Sequence, residues 1–396
     1  MKTNLVAAIL IISVIVIASV YGAYNVLNFS AAPSSSPAPT SSPASTPQQT
    51  STPSASTPTP SPSASSSVTS SQNPPQPNLP MDTQAPREIT IVDKNGAYVT
   101  VNLPVKRIVC LTMIEIVYVL GAGDRIVGYD AKLSSDTAAV LPSSLLANLR
   151  DVGTDMAPNL ELIIELQPDL LLASQRLSDE NRRTLENAGI AVIEDTLMWP
   201  RRNDCIRNLG LILQAEAKAE ELIAYEQHYV DLVTARTAGL TRSAKPSVYF
   251  EWYKQWFSTG PGGSYSDMII AAGGINIGEN ATVSSPQLSP EFVAEANPAV
   301  IIRMLTYLDG EDLAAYQNLR NDMLTRTALS GTTAVKEGRV YIIKSALLVE
   351  RQMIGLLYFA KWLHPSLFQD IDPTTVHTEY IRRFFSADLT GVFVYP

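Results

Sequence analysis

The strongest constraint on this chain is that one fifteen-residue block occurs twice, as PNLELIIELQPDLLL from Pro158 and as LSPEFVAEANPAVII from Leu288, 130 residues apart. In each copy a residue suited to capping a helix, Asn159 or Ser289, precedes a short amphipathic run. Each run meets a proline, Pro168 or Pro298, and helices tend to end just before proline. An unbroken apolar run follows at once, the pattern of a strand covered on both faces. Glu161 and Glu291 hold the same place in the first helical turn, and Glu165 and Glu295 recur one turn later. Two copies, rather than many, predict two similar α/β lobes and not a stacked array.

The surrounding sequence agrees. A hairpin is expected over 88–92 and 98–101, turning at Asn95-Gly96. A strand at 107–111, a helix over 114–120 ending at Gly121 and a strand at 126–129 then follow. This β-α-β order implies parallel strands with helices on both faces. Between the copies, Ile206, Leu209, Leu213, Leu222, Ile223 and Leu232 suit one long amphipathic helix or a close helix pair over 205–235. The second lobe is expected to open with a strand at 247–251 and to close with a strand at 340–343 and a final helix over 354–363.

The first 86 residues have a different character. No charged residue lies between Lys2 and Asp82. The run from Leu5 to Val26 is apolar and just long enough to cross a bilayer. Lys2 places the N-terminus in the cytoplasm and the rest outside. An uncleaved transmembrane anchor over 1–27 is expected, with a leader cut near Val20-Tyr21-Gly22 as the competing reading. Residues 28–86 are dominated by Ser, Thr, Pro, Ala and Gln, a composition that cannot bury apolar surface. They are expected to form a disordered stalk reaching on the order of 150 Å when stretched. The expected location is therefore the cell membrane, with a single pass and an extracellular globular part. Asn28-Phe29-Ser30 and Asn280-Ala281-Thr282 are N-glycosylation triplets.

Composition excludes several classes. The net charge is −9 and no basic stripe is visible, which argues against nucleic acid as partner. Cys110 and Cys205 are the two cysteines, and their spacing does not support a structural zinc site. A buried free thiol is expected for Cys110, with a Cys110–Cys205 disulfide as the alternative in an extracellular setting. Gly121-Ala122-Gly123 lacks the third glycine of a dinucleotide loop, and the Gly260–Gly263 turn lacks a Gly-Lys-Ser/Thr ending. No G-x-S-x-G or H-E-x-x-H occurs. No catalytic residue and no cofactor is assigned, and an enzyme is not expected.

The segments RIVCLTMIEIVYVLGAGDRIVGYD from Arg107, PNLELIIELQPDLLL, SYSDMIIAAGGINIG from Ser264 and SPEFVAEANPAVII together resemble the helical-backbone class of ABC transporter solute-binding proteins, which includes siderophore, haem and cobalamin receptors. The resemblance covers about 88–385. It implies two Rossmann-like lobes joined by a long α-helix, with a lobe at 87–204, a linking segment at 205–240 and a second lobe at 241–396. It implies an extracellular receptor that delivers an iron chelate or a corrinoid to an ABC permease dimer with cytoplasmic ATPase subunits. It also implies docking on that permease through Glu161 and Glu291, opposite permease arginines. A carboxylate in a first helical turn is favoured by the helix dipole in any case.

Ligands of doubly wound lobes sit beyond the C-terminal ends of the strands. The residues expected there are Thr112, Met113, Tyr129, Arg176, Trp199, Trp252, Tyr253, Trp256, Lys344 and Arg351. Aromatic faces suit planar macrocycles or catecholate rings, and Arg and Lys suit carboxylates or an anionic chelate. His228, His364 and His377 lie away from these positions, so an imidazole metal site is not expected. The alternative readings are a haem receptor of the same fold, using Tyr or Met, and an adhesion protein carried on the stalk.

Overall fold

The computed structural model describes residues 87–306 and 308–396. The expected anchor and stalk, 1–86, lie outside the described residues. Among the described residues no helix is long and apolar enough to cross a membrane.

Two five-stranded sheets dominate. The first runs in the order Arg150–Asp151, Ile126–Tyr129, Ile108–Cys110, Leu170–Ala173, Ala191–Glu194, with every pair parallel. The second runs Ile275–Asn276, Ser247–Glu251, Val300–Leu305, Val340–Lys344, Val394–Tyr395, and only the last pair is antiparallel. In both, the chain lays its first strand inside the sheet, the second beside it on one side, and the strand of the duplicated block beside it on the other. The duplicated block occupies the same slot in each, since Leu170 pairs with Ile108 and Val300 pairs with Val248.

The block's local physics is also repeated. Asn159 Oδ1 accepts the Leu162 N–H at 3.1 Å and Ser289 Oγ accepts the Phe292 N–H at 3.1 Å. These caps open the helices Leu160–Glu165 and Pro290–Ala296. Each helix stops at a left-handed residue, Gln167 at φ 47° or Asn297 at φ 43°, immediately before the proline.

Strand side chains alternate between two environments. Ile108, Cys110, Leu170, Leu172, Val248, Phe250, Val300 and Ile302 point into one continuous core shared by both halves. Their neighbours point to two separate outer layers, Val109 and Leu171 with Ile163 on one, Tyr249 and Ile301 with Val293 on the other. Thus the two capped helices cover outer faces. The shared core is filled by the helices Arg202–Leu213, Glu216–Thr237, Ser264–Ala271 and Gln352–Leu363. The helical stretch between the sheets is therefore a pair, broken at Gln214, which is left-handed at φ 58°.

The helix over Gln352–Leu363 is not the last element. A further helix, Pro373–Phe385, starts at the Asp372 cap, with proline in its first turn. It returns to the first half, where Phe385 stacks on Tyr118 at 6.1 Å. The strand Val394–Tyr395 then closes the second sheet. The hairpin Arg87–Val92 and Tyr98–Leu103 turns through Gly96 at φ 77° and packs on the same core through Ile91, Val99 and Val101.

Candidate functional site

The C-terminal ends of the strands carry aromatic and ionic side chains. Beyond the strand Ser247–Glu251 of the second sheet, Trp252 and Tyr253 meet edge to face at 4.8 Å, and Trp252 meets Tyr265 at 5.9 Å. Trp252 is half-buried against the shared core, and Tyr253 is 38% exposed. From the first half, Tyr129 ends its strand half-buried, and Thr112 is half-buried after Ile108–Cys110. Trp199 is half-buried, and its N–H donates to Gln352 Oε1 across the halves at 2.9 Å.

Other expected contacts are placed differently. Met113 is buried at φ 64° as the residue before the helix Ile114–Val119, and its sulfur lies 3.5 Å from Cys205 Sγ. Trp256 turns to the outer layer, stacking on Tyr249 at 6.2 Å with Arg326 over its ring at 5.3 Å. Arg176 is half out in solvent, 3.6 Å from Asp179. Cys110 and Cys205 are both free and buried, and burial pushes both thiols well above their usual range.

Lys344 and Arg351 are buried in ion pairs that bridge the two halves. Lys344 Nζ donates to Asp136 Oδ1 at 2.8 Å, with Glu311 Oε1 at 3.6 Å. Arg351 donates to both oxygens of Glu115, Nη2 to Oε1 at 2.8 Å and Nε to Oε2 at 3.2 Å. Thr137 Oγ1 adds a hydrogen bond to Glu115 at 2.8 Å. The positive charges that sequence reasoning reserved for a ligand are thus already met within the protein. A bidentate arginine–carboxylate pair is among the stronger side-chain contacts, and removing one partner from a buried pair is costly.

This junction extends inward. Arg202 grips Glu226 through Nε at 2.5 Å and Nη2 at 2.7 Å, and its Nη2 also reaches the Glu350 carbonyl at 2.7 Å. Tyr380 donates to Glu226 at 3.2 Å. His377 lies beside Arg351 at 3.4 Å, and burial, aided by the arginine's charge, pushes its pKa down to about 3. Burial holds the Asp136 carboxyl above the usual carboxylate range although Lys344 pulls it down.

Glu115, Asp136, Arg202 and Gln352 were missed by sequence reasoning. Glu115 left one signal, a lone acid in the apolar run Ile114-Glu115-Ile116-Val117, where a charge persists only if paired. His364 Nε2–H donates to the Gly273 carbonyl at 3.0 Å, and His228 packs on Tyr229. Among the described residues no group of three or more His, Cys, Asp or Glu is placed to hold a metal ion.

Glu161 and Glu291 are both exposed, each in the first turn of its capped helix. Their helices pack through Ile163 and Val293 on the outer layers of the first and second sheets respectively.

A family model described as "Periplasmic binding protein" matches residues 108–347. An uncharacterized ABC transporter substrate-binding lipoprotein, YvrC of Bacillus subtilis (strain 168), is 27% identical over 294 residues, 71% of this chain and 87% of that protein. A cobalamin-binding protein of Halobacterium salinarum (strain ATCC 29341 / DSM 671 / R1) is 26% identical over 235 residues, 58% of this chain and 62% of that protein. The solved structure of the TroA-like periplasmic binding protein FepB from Veillonella parvula superposes with a TM-score of 0.65 at 23% identity, covering 78% of this chain and 99% of that one.

Proposed function

As a member of the periplasmic binding protein family, this chain is a substrate-binding subunit of an ABC transporter, and we propose that its ligand is an iron chelate or a corrinoid held between its two halves. The observation that carries this is the aromatic group formed by Trp252 and Tyr253, beyond the strand Ser247–Glu251, with Tyr265 of the helix Ser264–Ala271. Large flat side chains there offer area to a planar or ring-bearing ligand at little entropic cost. Trp199, Tyr129 and Thr112, half-buried in the first half, are proposed to complete the contact set. The similarity to a cobalamin-binding protein supports the corrinoid branch.

Ligand capture is tested by tryptophan fluorescence of the full chain in mild detergent. Addition of a ferric siderophore or cyanocobalamin is expected to quench emission saturably, and Trp252→Phe is expected to remove much of the signal. Absence of any response across a broad chelate and corrinoid panel would leave the adhesion reading standing instead.

Delivery to the permease is proposed to use Glu161 and Glu291, one from each half. Exposed charges of this kind mainly govern association rate and salt dependence. Glu161→Arg combined with Glu291→Arg is expected to abolish uptake while leaving ligand affinity within about twofold, as rim charges do not line the ligand site. Normal uptake by that double variant would remove the docking assignment. The receptor is proposed to be held at the outer membrane surface by residues 1–27 through the stalk 28–86. Mass spectrometry of the native N-terminal peptide decides this, since a chain starting after residue 20 would show that the segment is a leader.

A further inference from the structure

Asn280-Ala281-Thr282 is one of two N-glycosylation triplets in the sequence, and the receptor reading makes no use of it. The other begins at Asn28, outside the described residues. The motif requires a hydroxyl two residues after the asparagine and any residue but proline between, and Thr282 and Ala281 meet both demands. Short triplets recur by chance, so the surroundings of Asn280 decide whether it can be used. It lies in the loop 277–289, between the strand Ile275–Asn276 and the helix Pro290–Ala296. That strand is the edge of the second sheet, so the loop leaves the sheet at its rim. Asn280 and Thr282 are exposed, as are Val283, Ser284 and Ser285 after them. Among the described residues, neither the Asn280 amide nor the Thr282 hydroxyl has a hydrogen-bond partner. Asn276, in the strand just before, shows the opposite use of the same side chain. It is fully buried, donates to Thr259 O at 2.8 Å and to Ser266 Oγ at 3.0 Å, and accepts the Gly278 N–H at 3.0 Å.

The loop keeps its shape without the triplet's side chains. Gly260 N–H donates to Ser284 O at 2.8 Å, Ser258 N–H to Pro286 O at 2.9 Å and Leu288 N–H to Trp256 O at 2.9 Å. Glu279, beside the triplet, is tied to Arg242 at 2.5 Å. A bulky hydrophilic group on Asn276 would tear open a buried network, whereas on Asn280 it displaces only water. We infer that Asn280 is the acceptor of an N-linked glycan, added by an oligosaccharyltransferase at the outer side of the membrane. The Asn280 amide nitrogen forms a bond to the anomeric carbon of a lipid-phosphate-linked oligosaccharide. The bond from that carbon to the phosphate oxygen breaks, the lipid phosphate leaves with the electron pair, and one amide proton passes to a base of the transferase. The inference rests on the extracellular placement proposed above and goes beyond the ligand site.

The test is mass spectrometry of the full chain from its native cells after digestion with trypsin. The peptide 255–303 holds no other triplet of this kind. It is expected to carry hexose or N-acetylhexosamine increments that fragmentation places on Asn280. The peptide also contains serine and threonine hydroxyls, so variants distinguish the linkage. Asn280→Gln and Thr282→Ala are each expected to lose the sugar completely, and Thr282→Ser is expected to keep it. Neither side chain has a partner in the fold, so these variants are expected to fold as the parent does. An unmodified Asn280 in the unaltered chain overturns the inference, and that measurement needs no variant. Sugar retained in Asn280→Gln is linked through a hydroxyl and overturns it as well. Labelling of intact cells with a membrane-impermeant amine reagent separates this inference from the placement beneath it. A labelled chain with a bare Asn280 removes the glycan and leaves the extracellular placement standing. An unlabelled chain with a bare Asn280 removes both.

Discussion

Two sets of carboxylates can be compared in this molecule, one at the junction of the halves and one on the outside. Glu115 and Asp136 are buried and tied to Arg351 and Lys344 from the other half. Glu161 and Glu291 are exposed in the first turns of capped helices on the outer layers. The charged group is the same and the physics is not. A buried carboxylate persists only with its partner in place, so the junction acids report on how the halves are held together. An exposed carboxylate is screened and nearly free of its neighbours, so the outer acids are available for a partner.

The largest expected contrast comes from Glu115→Ala, which strands Arg351 in the core. A loss of about 3–5 kcal/mol is expected in chemical denaturation, the usual cost of breaking one side of a buried pair. A loss under about 1 kcal/mol would mean that water reaches the junction and that the two sets of acids are alike.

The next contrast is with pH. His377 has its pKa lowered to about 3 by burial and by Arg351, from an ordinary value of 6.5. A group depressed in the folded state contributes stability that is complete above the unfolded pKa. That contribution is lost as pH falls from about 6.5 towards 3, at a slope approaching ~1.4 kcal/mol per unit. His377→Gln is expected to flatten this part of a stability–pH profile, and an unchanged slope would place the acid sensitivity elsewhere. Smaller still are the caps. Asn159→Ala or Ser289→Ala is expected to cost about 1 kcal/mol each by thermal unfolding. The smallest effect is expected of Glu161→Gln and Glu291→Gln, within about 0.5 kcal/mol of the parent. A larger loss would show that these acids serve the fold rather than a partner.

Much of the architecture was legible because its signals are local. The Asn95-Gly96 turn, the Asn159 and Ser289 caps and the apolar runs at 170–172 and 300–302 act within a few residues. The helix Pro373–Phe385 was readable in principle from Asp372-Pro373, but its purpose was not. It packs back on the first half, and no periodicity states which distant surface a helix covers. Trp256 was misplaced for a related reason. Its left-handed backbone at φ 67° and its N–H bond to Glu251 turn the ring onto the outer layer, a direction that strand spacing does not encode. Lys344 and Arg351 were expected to face a ligand, and the structure pairs them across the halves. Their partners, Asp136 and Glu115, lie 208 and 236 residues away.

The sequence by itself determined the twofold plan, because the duplicated block carries its own cap, stop and strand, each within reach of its neighbours. It also carries the match to the periplasmic binding protein family over residues 108–347. Only the tertiary structure decided which charges are paired inside the protein and which stay at its surface. Charge pairing depends on separations of a few ångströms between residues hundreds of positions apart, and that distance is set by packing of the whole fold.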